Sequence, residues 1–435
     1  MNRFSLQRCF RGSVIFSLSS MVACSVSVAG DWPQWMGANR DAKVSGFVAP
    51  ANWPKELKKQ WSAEVGNGVG TPSLVGNRLY VFARKGDEEV ASCLDADSGK
   101  EIWRYKYATQ GAVGPAQGFP GPRTTPTVVD GKVIVYGVRG RLSCLDAATG
   151  KVVWQNDEPE KTLPRFYTSS SPIVISGLCI AQRGGEDSGS TVAYNLSDGS
   201  QKWLWQGPGT AYASPKHVKV SGSDTVIVET DESVVALNVT DGKKLWETPY
   251  AVSGRGYNAA SPIVDGQTLI LTGSSRGVKS FEFNGSAGNF DAKEHWSNPD
   301  NSVQYNTPVL KDGKLFGLSA SDVLFCVDAK TGKTAWSAPV REGAQANEPA
   351  PAGGRGGRGG GGGGRGGYGT IVDAGSVLFV LTPSGVLNVI EPNGDKLVRL
   401  ANYKVAEGQT YAFPVINGKR IYIKDGDSVS LYTLE

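Results

Sequence analysis

The sequence predicts an all-β fold, an eight-bladed propeller of four-stranded blades closed by an N-terminal strand. Three observations predict it. An eleven-position pattern ending in Trp recurs along the chain, and a Ser/Thr-Pro hairpin pattern keeps time with it. The last repeat also lacks one strand, which the segment ahead of the first repeat supplies.

The clearest copy of the first pattern is Cys144-Leu145-Asp146-Ala147-Ala148-Thr149-Gly150-Lys151-Val152-Val153-Trp154. It reads as an apolar strand, a polar turn and a second strand. It returns at Cys93 to Trp103, Ala193 to Trp203, Ala236 to Trp246 and Cys326 to Trp336. A small residue opens each copy, Asp or Asn stands third, Gly seventh and Trp eleventh. The Gly suits a left-handed turn that a Cβ would disfavour. A weaker copy starts at Asn388 and has Val398 where Trp would stand.

The second pattern is typified by Thr125-Pro126-Thr127-Val128-Val129-Asp130-Gly131-Lys132-Val133-Ile134-Val135. Its Pro positions are Pro72, Pro126, Pro172, Pro215, Pro262, Pro308 and Pro414, with Thr370 standing in once. The successive spacings are 54, 46, 43, 47, 46, 62 and 44 residues, the length of a four-stranded propeller blade. The last unit, Pro414 to Glu435, stops before a Trp strand, while Leu57 to Val65 carries Trp61 and has no blade of its own. Pairing the two completes an eighth blade and removes an open sheet edge. Trp61, Trp103, Trp154, Trp203, Trp246, Trp296 and Trp336 then stand one per blade in seven blades, where each indole packs between neighbours and keeps one N–H for a carbonyl.

With these residues in place, the units resemble the PQQ-like β-propeller repeat of the quinoprotein alcohol dehydrogenase-like superfamily. The resemblance runs from about Trp61 to Glu435 and rests on the Ala/Cys-x-Asp-x-x-x-Gly-x-x-x-Trp docking motif. It implies the fold rather than one activity. The superfamily holds quinone-cofactor dehydrogenases and also cofactor-free scaffolds, among them the propeller lipoprotein of the outer-membrane protein assembly machine.

Three regions follow from the pattern: residues 1–29 as a signal peptide, 30–56 as an N-terminal arm, and 57–435 as the propeller. Arg3, Arg8 and Arg11 precede a short apolar run, and Ser27-Val28-Ala29 offers a small-x-small cleavage site. The run is too short and Ser-rich to span a bilayer. The expected location is the periplasm or cell envelope, with a lipid anchor at Cys24 as the competing processing route. Loss of the three arginines takes the formal charge from +4 to +1, which argues against a polyanionic partner such as nucleic acid.

The arm opens with Asp31-Trp32-Pro33-Gln34-Trp35-Met36-Gly37-Ala38-Asn39-Arg40-Asp41. It resembles the DWPQWRGPNRDG opening of many exported propellers of this superfamily, from which Met36, Ala38 and Ala42 depart. Packing across the ring is the expectation for it, against a partner surface built from its two Trp residues and Arg40. Residues 342–369 are a low-complexity Arg/Gly-rich insertion, expected to be a disordered loop.

Catalytic residues are sparse. The chain has two histidines, His217 and His295. Cys93, Cys144 and Cys326 repeat one blade position, Cys179 sits in an apolar strand, and no Cys-Cys or CxxC pair exists. Gly332-Lys333-Thr334 is the repeat turn rather than a P-loop, and the repeated Asp95, Asp146 and Asp328 suit local turn hydrogen bonds. The resemblance implies that PQQ, where bound, needs a vicinal disulfide, a stacking Trp, a catalytic Asp and ligands for Ca²⁺. The missing Cys-Cys puts that in doubt here, and no cofactor or metal site is assigned.

A candidate binding rim does emerge. The segments ahead of each Pro position carry Tyr167, Tyr212, Tyr257, Tyr305, Tyr368 and Tyr411, six of fifteen tyrosines, with Arg123, Arg165, Arg255, Asn258 and Asn306 among them. Such a rim at one channel mouth suits contacts with a protein partner or small ligand, while packing of each Tyr on the next blade is the competing role. The expected function is a monomeric, non-catalytic binding or assembly scaffold in the envelope. A PQQ- and Ca²⁺-dependent quinoprotein-type oxidoreductase and a carbohydrate- or peptide-recognition propeller stay open as alternatives.

Overall fold

A computed structural model describes Met1 and residues 30–157, 162–220, 222–251, 257–286, 289–340 and 369–435. Residues 2–29 with the expected signal peptide and Cys24, nearly all of the Arg/Gly insertion, Arg255 and Tyr368 lie outside the described residues.

Among the described residues thirty-two strands form eight separate four-stranded antiparallel sheets arranged as the blades of one ring. Blades 1 to 7 occupy residues 73–108, 127–156, 173–207, 216–249, 263–298, 309–339 and 370–404. Blade 8 joins Val415–Asn417, Arg420–Lys424 and Ser428–Thr433 to the outer strand Lys58–Glu64, in the sheet order that closes the ring. Lys58 pairs with Thr433 and Trp61 with Leu431, so the N-terminal strand covers the edge left open by the last repeat. No helix among the described residues is long and apolar enough to cross a membrane.

The register explains the eleven-position pattern. Its small first residue lies directly opposite its Trp: Cys93 faces Trp103, Cys144 faces Trp154, Ala193 faces Trp203 and Cys326 faces Trp336. A β-bulge follows each pair and turns the indole toward the next blade. There its N–H finds a carbonyl: Trp103 donates to Ala147 at 3.0 Å, Trp154 to Leu196 at 2.9 Å and Trp203 to Val239 at 2.8 Å. The ring lies on the neighbouring motif's glycine. A Cβ on Gly150 (φ +71°) would stand 2.5 Å from the Trp103 ring. The motif's Gly and Trp therefore serve each other across blade boundaries. Among the described residues no glycine lies against Trp246, and there Phe283 packs on it edge-to-face at 5.8 Å.

One sequence detail resolves differently in three dimensions, while the cysteines stand as expected. In blade 7 the residue beside the bulge, paired with Val389, is Ala401 rather than Val398, because its third-to-fourth-strand turn is longer. The repeated Cys residues are buried free thiols in separate blades. The motif's aspartates cap their own turns as expected: Asp146 Oδ1 accepts from the Thr149 amide and hydroxyl at 2.8 and 2.7 Å. Those donors hold its carboxyl below the usual range.

The Ser/Thr-Pro pattern also acquires a reason. Each hydroxyl accepts the backbone N–H of the equivalent residue in the preceding blade. Phe413 donates to Thr71 Oγ1 (3.0 Å), Thr71 to Thr125 Oγ1 (3.2 Å) and Thr125 to Ser171 Oγ (2.9 Å). Ser171 donates to Ser214 Oγ (2.9 Å), Ser214 to Ser261 Oγ (3.1 Å) and Ser261 to Thr307 Oγ1 (2.9 Å). This belt lines the channel, where only small side chains fit and every buried amide needs a partner. Gly369 and Phe413 hold the belt positions of blades 7 and 8 and offer no hydroxyl.

The arm fills that end of the channel. Trp32 is buried and exchanges backbone hydrogen bonds with Leu74 (2.8 and 2.9 Å), while Pro33 accepts the Val128 amide at 2.8 Å. Trp35 reaches the belt, donating to Ser261 Oγ at 3.1 Å, and its ring meets Phe413 edge-on at 5.3 Å. Arg40 is only 4% exposed. It donates to Gln34 Oε1 at 2.9 Å, to the Pro215 carbonyl at 2.9 Å, to the Ser171 carbonyl at 3.3 Å and also to the Pro172 carbonyl. Burial draws its pKa down to about 9, still cationic at neutral pH. Ala42 sits at φ +55°, the left-handed region, which accounts for the glycine at this place in the related openings. The arm packs across the ring as expected, with Trp32 buried and Trp35 partly so.

Arg40 thereby ties the arm to blades 3 and 4. Arg40→Ala will lower stability by roughly 2–4 kcal/mol, because buried carbonyls lose their donor. Denaturant titration reads this directly, and a loss under about 0.5 kcal/mol, the range of ordinary surface changes, would reject the role.

Candidate binding rim at the channel mouth

Each blade runs from its inner strand outward, so two kinds of connection gather on each face of the ring. The blade-to-blade segments and the second-to-third-strand turns form the front face. The first-to-second and third-to-fourth-strand turns form the back face, where the arm lies.

The candidate tyrosines lie on the front-face segments, and the structure brings three of them together. Tyr212 and Tyr257 meet edge-to-face with centroids 5.8 Å apart, and Tyr257 stacks on Tyr305 at 6.0 Å and 22°. Phe166 completes the cluster, 4.8 Å from Tyr257 and 6.1 Å from Tyr212. Its backbone N–H donates to Tyr212 Oη at 3.1 Å, which locks the loop after blade 2 to the loop after blade 3. Burial pushes the Tyr212 hydroxyl up to about 12. Tyr305 is 38% exposed, so the crescent has an accessible end.

Cations flank these rings. The Arg165 guanidinium lies 5.6 Å from the Phe166 centroid and that of Arg139 lies 5.7 Å from Tyr167. Arg123 is largely buried, donates to the Phe119 carbonyl at 2.8 Å and feels the Tyr212 and Tyr167 side chains. Burial lowers its pKa to about 10, so it carries its charge at neutral pH. Tyr167 takes a left-handed backbone, φ +65°. Tyr411 stands apart from the crescent, edge-on to Phe119 at 5.2 Å.

Asn258 and Asn306 are braces. Asn258 is buried and donates to the Thr230 and Tyr250 carbonyls at 2.7 and 3.1 Å, while its own carbonyl accepts the Tyr212 and Ala213 amides. Asn306 donates to the Leu318 carbonyl at 2.9 Å. Phe119 and Phe166 were not singled out from sequence. They stand seven and six residues before Pro126 and Pro172, just upstream of the tyrosine positions, so a wider window open to Phe would find them.

Acid–base and metal chemistry find little here. His217 bonds Asp224 at 2.7 Å across a half-exposed hairpin. Among the described residues no three of His, Cys, Asp or Glu form a group able to hold a metal ion. Aromatic faces with flanking guanidinium groups instead suit a surface that grips an apolar or aromatic chain.

Fold and rim together define the class: a closed eight-bladed propeller with PQQ-like blade docking. The chain matches the family model described as outer membrane protein assembly factor BamB over residues 51–211 and 186–338, more than half its length, and it belongs to that family. BamB of Burkholderia pseudomallei (strain K96243) is 26% identical over 297 residues, spanning 65% of this chain and 69% of that protein. The quinohemoprotein alcohol dehydrogenase of Comamonas testosteroni is 32% identical over 161 residues, 35% of this chain and 22% of that enzyme. Among solved structures, BamB from Moraxella catarrhalis aligns with TM-score 0.60 and 14% identity, covering 87% of this chain and 99% of that one. The Comamonas testosteroni quinohemoprotein alcohol dehydrogenase aligns with TM-score 0.67 and 16% identity over 94% and 81% of the two chains. At those identities the structural likeness shows the fold alone.

Proposed function

We propose that this protein is a monomeric, non-catalytic scaffold of outer-membrane protein assembly, exported to the periplasm or cell envelope, that holds a protein partner at its front-face rim. The supporting observation is the aromatic crescent of Phe166, Tyr212, Tyr257 and Tyr305 on the face opposite the arm. Tyr is favoured at protein interfaces because one rigid side chain offers both an apolar face and a polar tip. The scaffold works without a bound cofactor and without nucleic acid, and export follows from a signal at residues 1–29, with acylation at Cys24 as the alternative to simple cleavage. A small-ligand or glycan role would use the same rim.

The quinoprotein-type oxidoreductase is the second reading, favoured by the 32% identity to part of an alcohol dehydrogenase. One experiment separates them. Purified protein is titrated with PQQ with and without Ca²⁺, and in parallel is used to retain purified outer-membrane assembly proteins. The scaffold reading expects no saturable PQQ binding, together with retention that Tyr212→Ala/Tyr257→Ala weakens at least about tenfold at a temperature well below the melting point of both proteins. Saturable micromolar PQQ binding would overturn it, and so would retention untouched by the double substitution.

A further inference from the structure

We infer that the back face carries a second binding site, a groove that takes an extended partner segment with alternating apolar and basic side chains. It is independent of the front-face rim. The groove has a volume of about 690 Å³ and lies between the arm and the turns of blades 1 to 3. That size falls within the range of ligand and peptide sites.

Its floor is apolar. Val75, Val128, Val129 and Val174 line it, all half-buried.

The border is acidic. Asp31, Asp130 and Asp146 line the groove against one cation, Arg78. The Arg78 guanidinium is turned onto the Ala147 and Ala148 carbonyls at 3.1 and 3.0 Å. Asp146 is held ionised by its turn donors. Asp31 and Asp146 alone already outnumber Arg78 among the charged lining residues, and that net negative border favours Lys and Arg side chains.

The repeat supplies the third argument. Leu74, Val128 and Val174 are the central residues of the inner strands of blades 1, 2 and 3, each one residue before the residue that closes a two-residue turn. In that register their amides point away from the neighbouring strand, to the free edge. The arm already takes two of them: Leu74 N–H donates to the Trp32 carbonyl at 2.9 Å and Val128 N–H to the Pro33 carbonyl at 2.8 Å. The third, Val174, lines the groove, and no described residue accepts its amide. The arm thus shows how an extended chain docks on this face, and the Val174 amide is the next donor in the series. An extended segment presents alternate side chains to one side, which matches a valine floor with carboxylates along its border.

The test uses two fluorescein-labelled hexapeptides on the whole protein, one alternating valine with lysine and one alternating valine with glutamate. Anisotropy should show saturable micromolar binding of the lysine peptide, at least about tenfold tighter than the glutamate peptide and weakened by added salt. Ala148→Trp, an exposed change that fills the groove, should abolish binding. Val174→Pro removes the amide at an edge where proline is tolerated, and should weaken binding at an unchanged melting temperature. Tyr212→Ala on the opposite face should leave peptide binding as it is, which separates this site from the rim. Absence of saturable binding, equal binding of the two peptides, or binding that survives Ala148→Trp would each overturn the inference.

Discussion

Trp154→Ala will destabilise the propeller by roughly 3–5 kcal/mol, the cost of deleting a large buried aromatic side chain. Trp154 is 7% exposed, donates to the Leu196 carbonyl at 2.9 Å and covers Gly199 in the next blade. Its removal empties the space between blades 2 and 3 and leaves that carbonyl without its donor. The partner glycine sharpens the prediction. A Cβ on Gly199 (φ +75°) would lie 2.7 Å from the indole, so Gly199→Ala is costly while Trp154 is present. Once the indole is gone, the steric part of that cost disappears and only the left-handed backbone penalty of about 1 kcal/mol remains. The double variant should therefore lose less than the sum of the single losses. Urea titrations of the four proteins measure the cycle. Additive losses would show that Trp and Gly of the motif do not act as a pair.

Glu229→Gln is expected to do the opposite and stabilise the protein at neutral pH. Glu229 is 1% exposed at the boundary of blades 4 and 5, and neither carboxyl oxygen has a hydrogen-bond partner. Tyr250 Oη and Arg276 Nε nearby are also unpartnered, while Arg276 stacks 3.9 Å over the Tyr250 ring and donates to the Tyr250 carbonyl at 3.0 Å. Burial raises the Glu229 carboxyl from its ordinary 4.5 to about 8, against the opposing pull of Arg276. The native state therefore holds a proton that the unfolded chain releases. Below pH 4.5 both states are protonated and no penalty exists; between 4.5 and about 8 stability falls as pH rises; above that the penalty is constant. Glutamine stays neutral throughout, so its advantage should grow across that window to roughly 2–4 kcal/mol at pH 7. Thermal melts at pH 5 and pH 8 decide the matter. A difference between variant and parent that does not change with pH would show that Glu229 is ionised in the fold.

The contrast with Glu89 shows why one buried acid is legible as satisfied and the other is not. Between blades 1 and 2, Glu89 accepts the Tyr107 hydroxyl on one oxygen and the Val138 amide at 3.0 Å on the other. Gly137 makes room for the pair, since a Cβ there would stand 2.2 Å from both groups. Blade 4 supplies a Tyr and blade 5 an Arg in a similar arrangement, yet the carboxylate there meets no donor. Nothing in the local sequence around Glu229 distinguishes these outcomes.

The sequence by itself determined the blade. Hydrophobic alternation, turn glycines and a Trp at fixed spacing are local requirements of a hairpin and its docking residue, so they recur in the chain wherever a blade recurs. The closing strand was legible for the same reason, because an incomplete last unit and a spare Trp61 strand must satisfy one another's edges. What only the tertiary structure decided lies between blades. The belt from Phe413 to Thr307, the seating of Arg40 on three carbonyl groups and the crescent of Phe166 with three tyrosines join residues tens to hundreds of positions apart. A repeat shows that these positions are equivalent in the ring. Which side chains then touch depends on the distances and angles at which neighbouring blades meet, and those are set by the packing of the whole ring.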